Sequence, residues 1–142
     1  MTQSLGLVSL VVRDYDEALK FYLGKLGFEL VEDTYIPEQD KRWVVVKPPG
    51  AGELGSCLLL AKASTEEQES RIGNQTGKRV FLFLYTDDCL RDYERLKHVG
   101  INFVRTPTMA TYGTVAVLED LYGNQWDLLQ PNRNNRSRPP PL

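Results

Sequence analysis

The sequence predicts an α+β protein built from two tandem β-α-β-β-β modules, and three observations carry that prediction. An apolar run ending in Asp occurs twice, as Leu7-Val8-Ser9-Leu10-Val11-Val12-Arg13-Asp14 and as Phe81-Leu82-Phe83-Leu84-Tyr85-Thr86-Asp87-Asp88. Each reads as a strand feeding a helix, because an Asp side chain can accept from the free N–H groups of a first helical turn. Each helix then ends at a glycine, Gly27 or Gly100, before another apolar run. Glycine tolerates the left-handed backbone that stops a helix. Finally, the spacing is nearly constant: Phe81 lies 74 residues after Leu7, and Gly100 lies 73 after Gly27. Such an offset marks a duplicated unit.

The elements follow in order. A strand is expected from about Gly6 to Val12, then a helix capped by Asp14 or Asp16 and running to about Lys25. Its Ala18, Leu19, Tyr22, Leu23 and Leu26 fall at three- and four-residue spacings, one apolar stripe. Phe28 to Tyr35 is strand-like, Pro37 to Asp40 a turn, Arg42 to Lys47 a β-branched strand, and Cys57 to Ala61 the fourth strand after a Pro/Gly loop. The first module thus spans about residues 5–63. A polar linker covers 64–78, where Ser64-Thr65-Glu66-Glu67 predicts a short capped helix. The second module, about 79–131, repeats the order. Arg79 to Tyr85 is a strand, Asp88 to His98 a helix, and Ile101 to Arg105 a strand. Thr106 to Gly113 reads as a loop, Thr114 to Leu118 as a strand, and Gln125 to Leu129 as the last strand after a turn at Asp120 to Asn124. The tail, 132–142, is rich in Asn, Arg and Pro and contributes nothing to a core.

Composition narrows the function classes. With 42% hydrophobic and 25% charged residues over 142 positions, the chain is an ordinary globular sequence. A net charge of −2 gives no case for nucleic acid or an anionic membrane as partner. No apolar run approaches the roughly 20 residues that span a bilayer, and no signal peptide is evident, so a cytoplasmic location is expected. Cys57 and Cys89 lie far apart and away from the lone His98, and read as reduced, mostly buried thiols.

Three segments carry a family resemblance: Val12-Arg13-Asp14-Tyr15-Asp16-Glu17-Ala18-Leu19-Lys20-Phe21-Tyr22, Lys25-Leu26-Gly27-Phe28-Glu29, and Glu119-Asp120-Leu121-Tyr122-Gly123-Asn124-Gln125-Trp126-Asp127-Leu128-Leu129-Gln130. Together with the repeat, from about Gly6 to Gln130, they resemble the vicinal oxygen chelate superfamily of glyoxalase I, extradiol dioxygenases and bleomycin-resistance proteins. The last segment is similar to the family's closing D-P-x-G-N-x-x-E-L pattern, with Leu121 for Pro and Asp127 for Glu. The resemblance implies that each module curls into half a barrel. It further implies four inward positions, two per module, that hold a divalent metal in enzymatic members. Carried onto this sequence, they fall at Leu7, near Leu58, at Phe81 and at Asp127. Three of the four have no donor atom, so neither a metal nor another cofactor is expected. The scaffold hosts many chemistries, so the resemblance leaves open whether the chain is an enzyme.

If Leu7 and Phe81 face inward, strand alternation brings Ser9, Val11, Phe83 and Tyr85 with them. Asp127 shares a face with Leu129, and Leu58 with Leu60. The expected cavity between the modules is apolar and aromatic, with Ser9, Phe81, Phe83, Tyr85, Tyr112 and Asp127 as ligand-binding residues. It holds no nucleophile paired with a base. Three readings stand. The leading one is a metal-free protein that binds a small organic molecule. The second is a metal-dependent lyase, dioxygenase or isomerase that draws a further carboxylate from Glu53 or Glu119. The third is a drug-sequestering protein of the bleomycin-resistance type, binding cationic, planar antibiotics. A homodimer is expected, with Trp43, Trp126 and the tail as interface elements; Glu66, Glu67 and Glu69 read as a solvated helix face.

Overall fold

The computed structural model describes residues 1–53 and 55–132; most of the tail, 133–142, lies outside them. The chain divides into two compact units, Met1–Gln75 and a second that begins at Thr76. The first contains β1 (Leu7–Val12), α1 (Tyr15–Tyr22), β2 (Glu29–Ile36), β3 (Lys41–Lys47), β4 (Cys57–Lys62) and a single-turn helix, α2 (Glu66–Glu69). The second contains β5 (Val80–Tyr85), α3 (Cys89–His98), β6 (Phe103–Ala110), β7 (Gly113–Glu119) and β8 (Gln125–Pro131). The sheets have equivalent orders, β1-β4-β3-β2 and β5-β8-β7-β6.

Both main helices begin as the sequence predicts. Asp14 accepts from Glu17 N at 2.8 Å, and Asp88 accepts from Arg91 N at 3.0 Å. Gly27 and Gly100 adopt φ of 81° and 92°, the left-handed geometry that lets the chain leave each helix. Thr65 caps α2 by accepting from Gln68 N.

The sheets are not antiparallel throughout. The first strand of each module runs parallel to the fourth, in register Ser9↔Leu59 and Phe83↔Asp127. This follows from connectivity. The helix returns the chain, so β2 runs in the direction of β1. A three-strand meander then restores that direction in β4, which slots beside β1.

One face of each sheet is covered by its helix. Leu10, Val44 and Leu60 are fully buried on the α1 side, with Ala18, Phe21 and Tyr22 of the helix among the core residues. Thus Phe21, rather than Leu19 or Leu23, completes the buried stripe. Leu84, Ala116, Leu118, Trp126 and Leu128 share the opposite parity from Asp127 and lie toward α3. Trp126 is only 3% exposed, so it is a core residue and not an interface element.

The segment expected to be a loop, Thr106 to Gly113, is mostly strand: β6 continues to Ala110 and turns at Thr111-Tyr112. β6 is the edge of its sheet, where Pro107 forfeits no ladder bond, and two register shifts absorb the irregularity. Gly113 is required at the turn, because a Cβ there would collide with the Gln130 carbonyl.

The turn before β8 is fixed by Asp120. Its carboxylate accepts from Tyr122 N, Asn124 N and Asn124 Nδ2, each at 2.9 Å. Asp120 and Asn124 are both buried, so the Asp-Leu-Tyr-Gly-Asn motif is a folding device.

Candidate functional site

The open face of the second sheet presents the principal candidate. β8 is a central strand, and its odd positions turn away from α3. Asp127 therefore stands between Phe83 on β5 and Val117 on β7. One step along this face, Leu129 stands between Tyr85 and Val115. Phe83 and Tyr85 remain 42% and 48% exposed. This is a carboxylate on an aromatic and aliphatic floor.

Asp127 is half-buried, and it makes no hydrogen bond or ion pair among the described residues. Its pKa is raised above the usual carboxylate value because burial penalises the charge; Arg105 pulls the other way. Arg105 stands on β6 opposite Val117, two strands from Asp127. Sequence reading did not select it, because the register shifts on either side of Arg105 break the alternation that would have assigned its face.

The other expected residues do not all gather there. Phe81 is the extra residue where the β5/β8 register slips between Val80 and Leu82. It packs edge-on to Trp126, with ring centroids 6.0 Å apart, and so leaves the Asp127 face. Tyr112 occupies the β6–β7 turn, and its carbonyl accepts from Asn132 N. The sheet there is at the Gly113↔Pro131 pair, four residues along β8 from Asp127, or about 13 Å. Ser9 belongs to the first module. Its side chain shares the exposed face of β1, and its carbonyl accepts from Gln75 Nε2.

The metal positions are set more firmly by this register. Leu58 pairs with Val8 and Val46 and is buried on the helix side, as is Leu60. The first-module equivalent of Asp127 is Leu59, which stands opposite Ser9 as Asp127 stands opposite Phe83. Leu7 and Leu59 offer no lone pair. Among the described residues, no three His, Cys, Asp or Glu side chains converge as a metal-binding group. Glu119 is bonded to Asn102 Nδ2 at 2.8 Å, and Glu53 is exposed on the loop before β4. The donor set does not fit a catalytic divalent ion.

The cysteines carry no evident chemistry. Cys89 is buried, its thiol pushed up to about 11 by desolvation and then by Asp92 and Asp88, and it lies against the Leu128 carbonyl. Cys57 is a free, partly buried thiol. His98 is exposed at the C-terminal end of α3.

The first module contains a cleft that the sequence did not suggest, of about 330 Å³ at the end of its sheet. Arg42 is fixed there. Its guanidinium donates to Asp33 at 2.7 and 3.1 Å, meets Asp16 at 2.9 Å, and lies 5.2 Å from the Tyr15 ring centre. The hydrogen bond from Arg42 holds Asp33 below the usual carboxylate range.

Similarity to known proteins agrees with this architecture. Residues 4–128 match the Glyoxalase/Bleomycin resistance protein/Dioxygenase superfamily. An uncharacterized protein of Shewanella frigidimarina (strain NCIMB 400) is 64% identical over 93% of this chain and 96% of its own length. The crystal structure of UcmS2 superposes with a TM-score of 0.78 at 31% identity, covering 91% of this chain and 98% of that one. TnmS3 of Streptomyces sp. CB03234, described as an antibiotic binding protein, superposes with a TM-score of 0.74 at 29% identity, covering 92% and 98%. On the extent of these matches and the paired four-stranded sheets, the chain belongs to the Glyoxalase/Bleomycin resistance protein/Dioxygenase superfamily.

Proposed function

We propose that this chain binds a small organic molecule without a metal, on the open face of its second module. Phe83 and Tyr85 supply contact for an aromatic or aliphatic body. Asp127 takes a basic or hydroxyl-bearing group. The observation that carries this reading is the half-buried Asp127 carboxylate, which has no hydrogen-bond or ion-pair partner among the described residues and lies between the exposed ring of Phe83 and the buried side chain of Val117. A buried charge without a partner is costly, and a cationic ligand group would relieve that cost. The likeness to TnmS3, described as an antibiotic binding protein, favours binding or sequestration of an antibiotic-like molecule over turnover. Tyr112 contributes at most to the margin of such a site, and Phe81 supports Trp126 instead.

The working form is a homodimer in the cytoplasm. Leu7, Leu30, Val31 and Val104 leave apolar surface on the sheets, and a second copy would cover part of it. No described helix is long and apolar enough to cross a membrane.

A thermal-shift screen of small aromatics and antibiotics tests the site, because a ligand that binds the folded state raises its apparent stability. The expected hit carries a basic group, and Asp127→Asn weakens it far more than it changes the unliganded melting temperature. A hit bound unchanged by Asp127→Asn refutes the site. Roughly one equivalent of Fe, Mn, Ni, Co or Zn retained through dialysis refutes the metal-free reading. Light scattering at micromolar concentration that gives a 16.2 kDa species refutes the dimer.

A further inference from the structure

The first module carries a surface of opposite character. Three cationic side chains, Lys41, Arg42 and Lys62, line the cleft of about 330 Å³ at the end of its sheet, and no carboxylate does. The single charge of Arg42 is shared by two carboxylates, Asp33 and Asp16, so Arg42 is not available to an anion. Lys41 and Lys62 form no ion pair among the described residues. Lys41 begins β3 and Lys62 ends β4. Both therefore stand at one end of the sheet, where flexible four-carbon stems can reach a shared point.

The rest of the lining is mostly apolar and aromatic, with Gln39 and Gln68 as its neutral polar members. Trp43 is 36% exposed, and Tyr15 forms a second aromatic wall, held in place by Arg42 over its ring. A neighbouring recess shares Tyr15, Lys41, Arg42 and Lys62 and adds Asp14 and Asp40. Those two carboxylates accept from Glu17 N and from the Tyr35 hydroxyl, so each already has a hydrogen-bond donor.

We propose that this cleft is a second binding site, selective for planar organic anions such as aromatic carboxylates or sulfonates. The ring stacks on Trp43 and contacts Tyr15. The anionic group meets the ammonium groups of Lys41 and Lys62. A cleft with unpaired cations and an exposed indole rewards this combination of charge and flatness, whereas the Asp127 face rewards the opposite charge.

The test is calorimetric titration of the full chain with naphthalene-2-sulfonate, beside the uncharged 2-naphthol. The sulfonate is expected to bind with Kd below about 1 mM, at least about tenfold tighter than 2-naphthol. Lys41→Gln combined with Lys62→Gln should weaken the sulfonate by about tenfold or more without altering 2-naphthol. These lysines are exposed, so the melting temperature of the variant should match the parent. Trp43→Ala should weaken the sulfonate, and Asp127→Asn should leave the sulfonate unchanged. The proposal is overturned if the sulfonate does not bind, if 2-naphthol displaces the sulfonate equally well, or if the double lysine variant binds the sulfonate like the parent. Weakening by Asp127→Asn would also overturn it, by moving the anion to the other module.

Discussion

The two modules share a backbone plan and differ in what they mount on it. Each has an Asp-capped helix, a left-handed glycine after it, and a first strand lying parallel to the fourth. At equivalent places on the open faces, however, the first module has Ser9 beside Leu59 and the second has Phe83 beside Asp127. The first concentrates its charge at the end of the sheet, in the Arg42 cluster. The second places a single carboxylate mid-strand. Residues under the helix answer to packing, which both copies must satisfy. Residues on the open face do not pack under the helix, and the copies diverge there.

The sharpest challenge to the shared plan is to hollow out the two cores in parallel. Leu60 and Leu128 occupy their fourth strands beneath α1 and α3, at 0% and 1% exposure. Leu60→Ala and Leu128→Ala should each cost about 2–5 kcal/mol in denaturant unfolding. Hydrogen exchange will show whether each loss stays in its own module. A negligible cost from either variant would break the equivalence of the cores.

A difference between the copies gives the next largest effect. The second module closes its β7–β8 turn with buried Asp120, a residue type absent from the sequence between β3 and β4 of the first. Asp120→Ala would deprive Tyr122 N, Asn124 N and Asn124 Nδ2 of an acceptor. The expected loss is about 2–4 kcal/mol, because buried donors without a partner bear their desolvation cost. Circular dichroism melts check it; an unchanged melt would make the turn incidental.

The caps should be equivalent and smaller. Asp14→Ala and Asp88→Ala are each expected to cost about 1 kcal/mol. Urea titrations that differ widely between them would show that one module leans on its cap more than the other.

These devices were legible in the sequence for a common reason. Asp14, Asp88, Gly27, Gly100 and Thr65 act within a few residues of themselves, so local chemistry determines them. What sequence reading missed depends on pairing. Leu58 was assigned to the open face, but the parallel register puts Leu59 there. Phe81 left its expected face at a register slip of one residue, and Arg105 was hidden by two. A strand alternates with period two, so one inserted residue reverses every later assignment. The cleft in the first module was illegible for a stronger reason: Tyr15, Lys41 and Lys62 come from three separate segments, and only the folded sheet end brings them together.

The smallest effect bears most directly on function. Burial raises the pKa of Asp127 in the folded protein above its unfolded value, with Arg105 opposing the shift. The sign follows. A carboxyl group with a raised folded pKa favours folding when protonated, and that contribution is lost as pH rises through the folded pKa. At pH 7 the ionised group is therefore a net cost to the unliganded fold. Asp127→Asn keeps the shape and removes the charge, so it should raise the melting temperature at pH 7. The gain should be at most about 1 kcal/mol, since solvent still reaches half of the side chain and screens it. It should shrink as pH falls through the raised pKa, and vanish below the unfolded value, where both proteins are neutral at this position. Calorimetric melts from pH 3 to 8 measure this. A stabilised variant that no longer binds a basic ligand identifies a charge kept for binding at the expense of stability. A variant that melts lower at pH 7 would mean that Asp127 holds the sheet together, and that the two open faces differ for structural reasons alone.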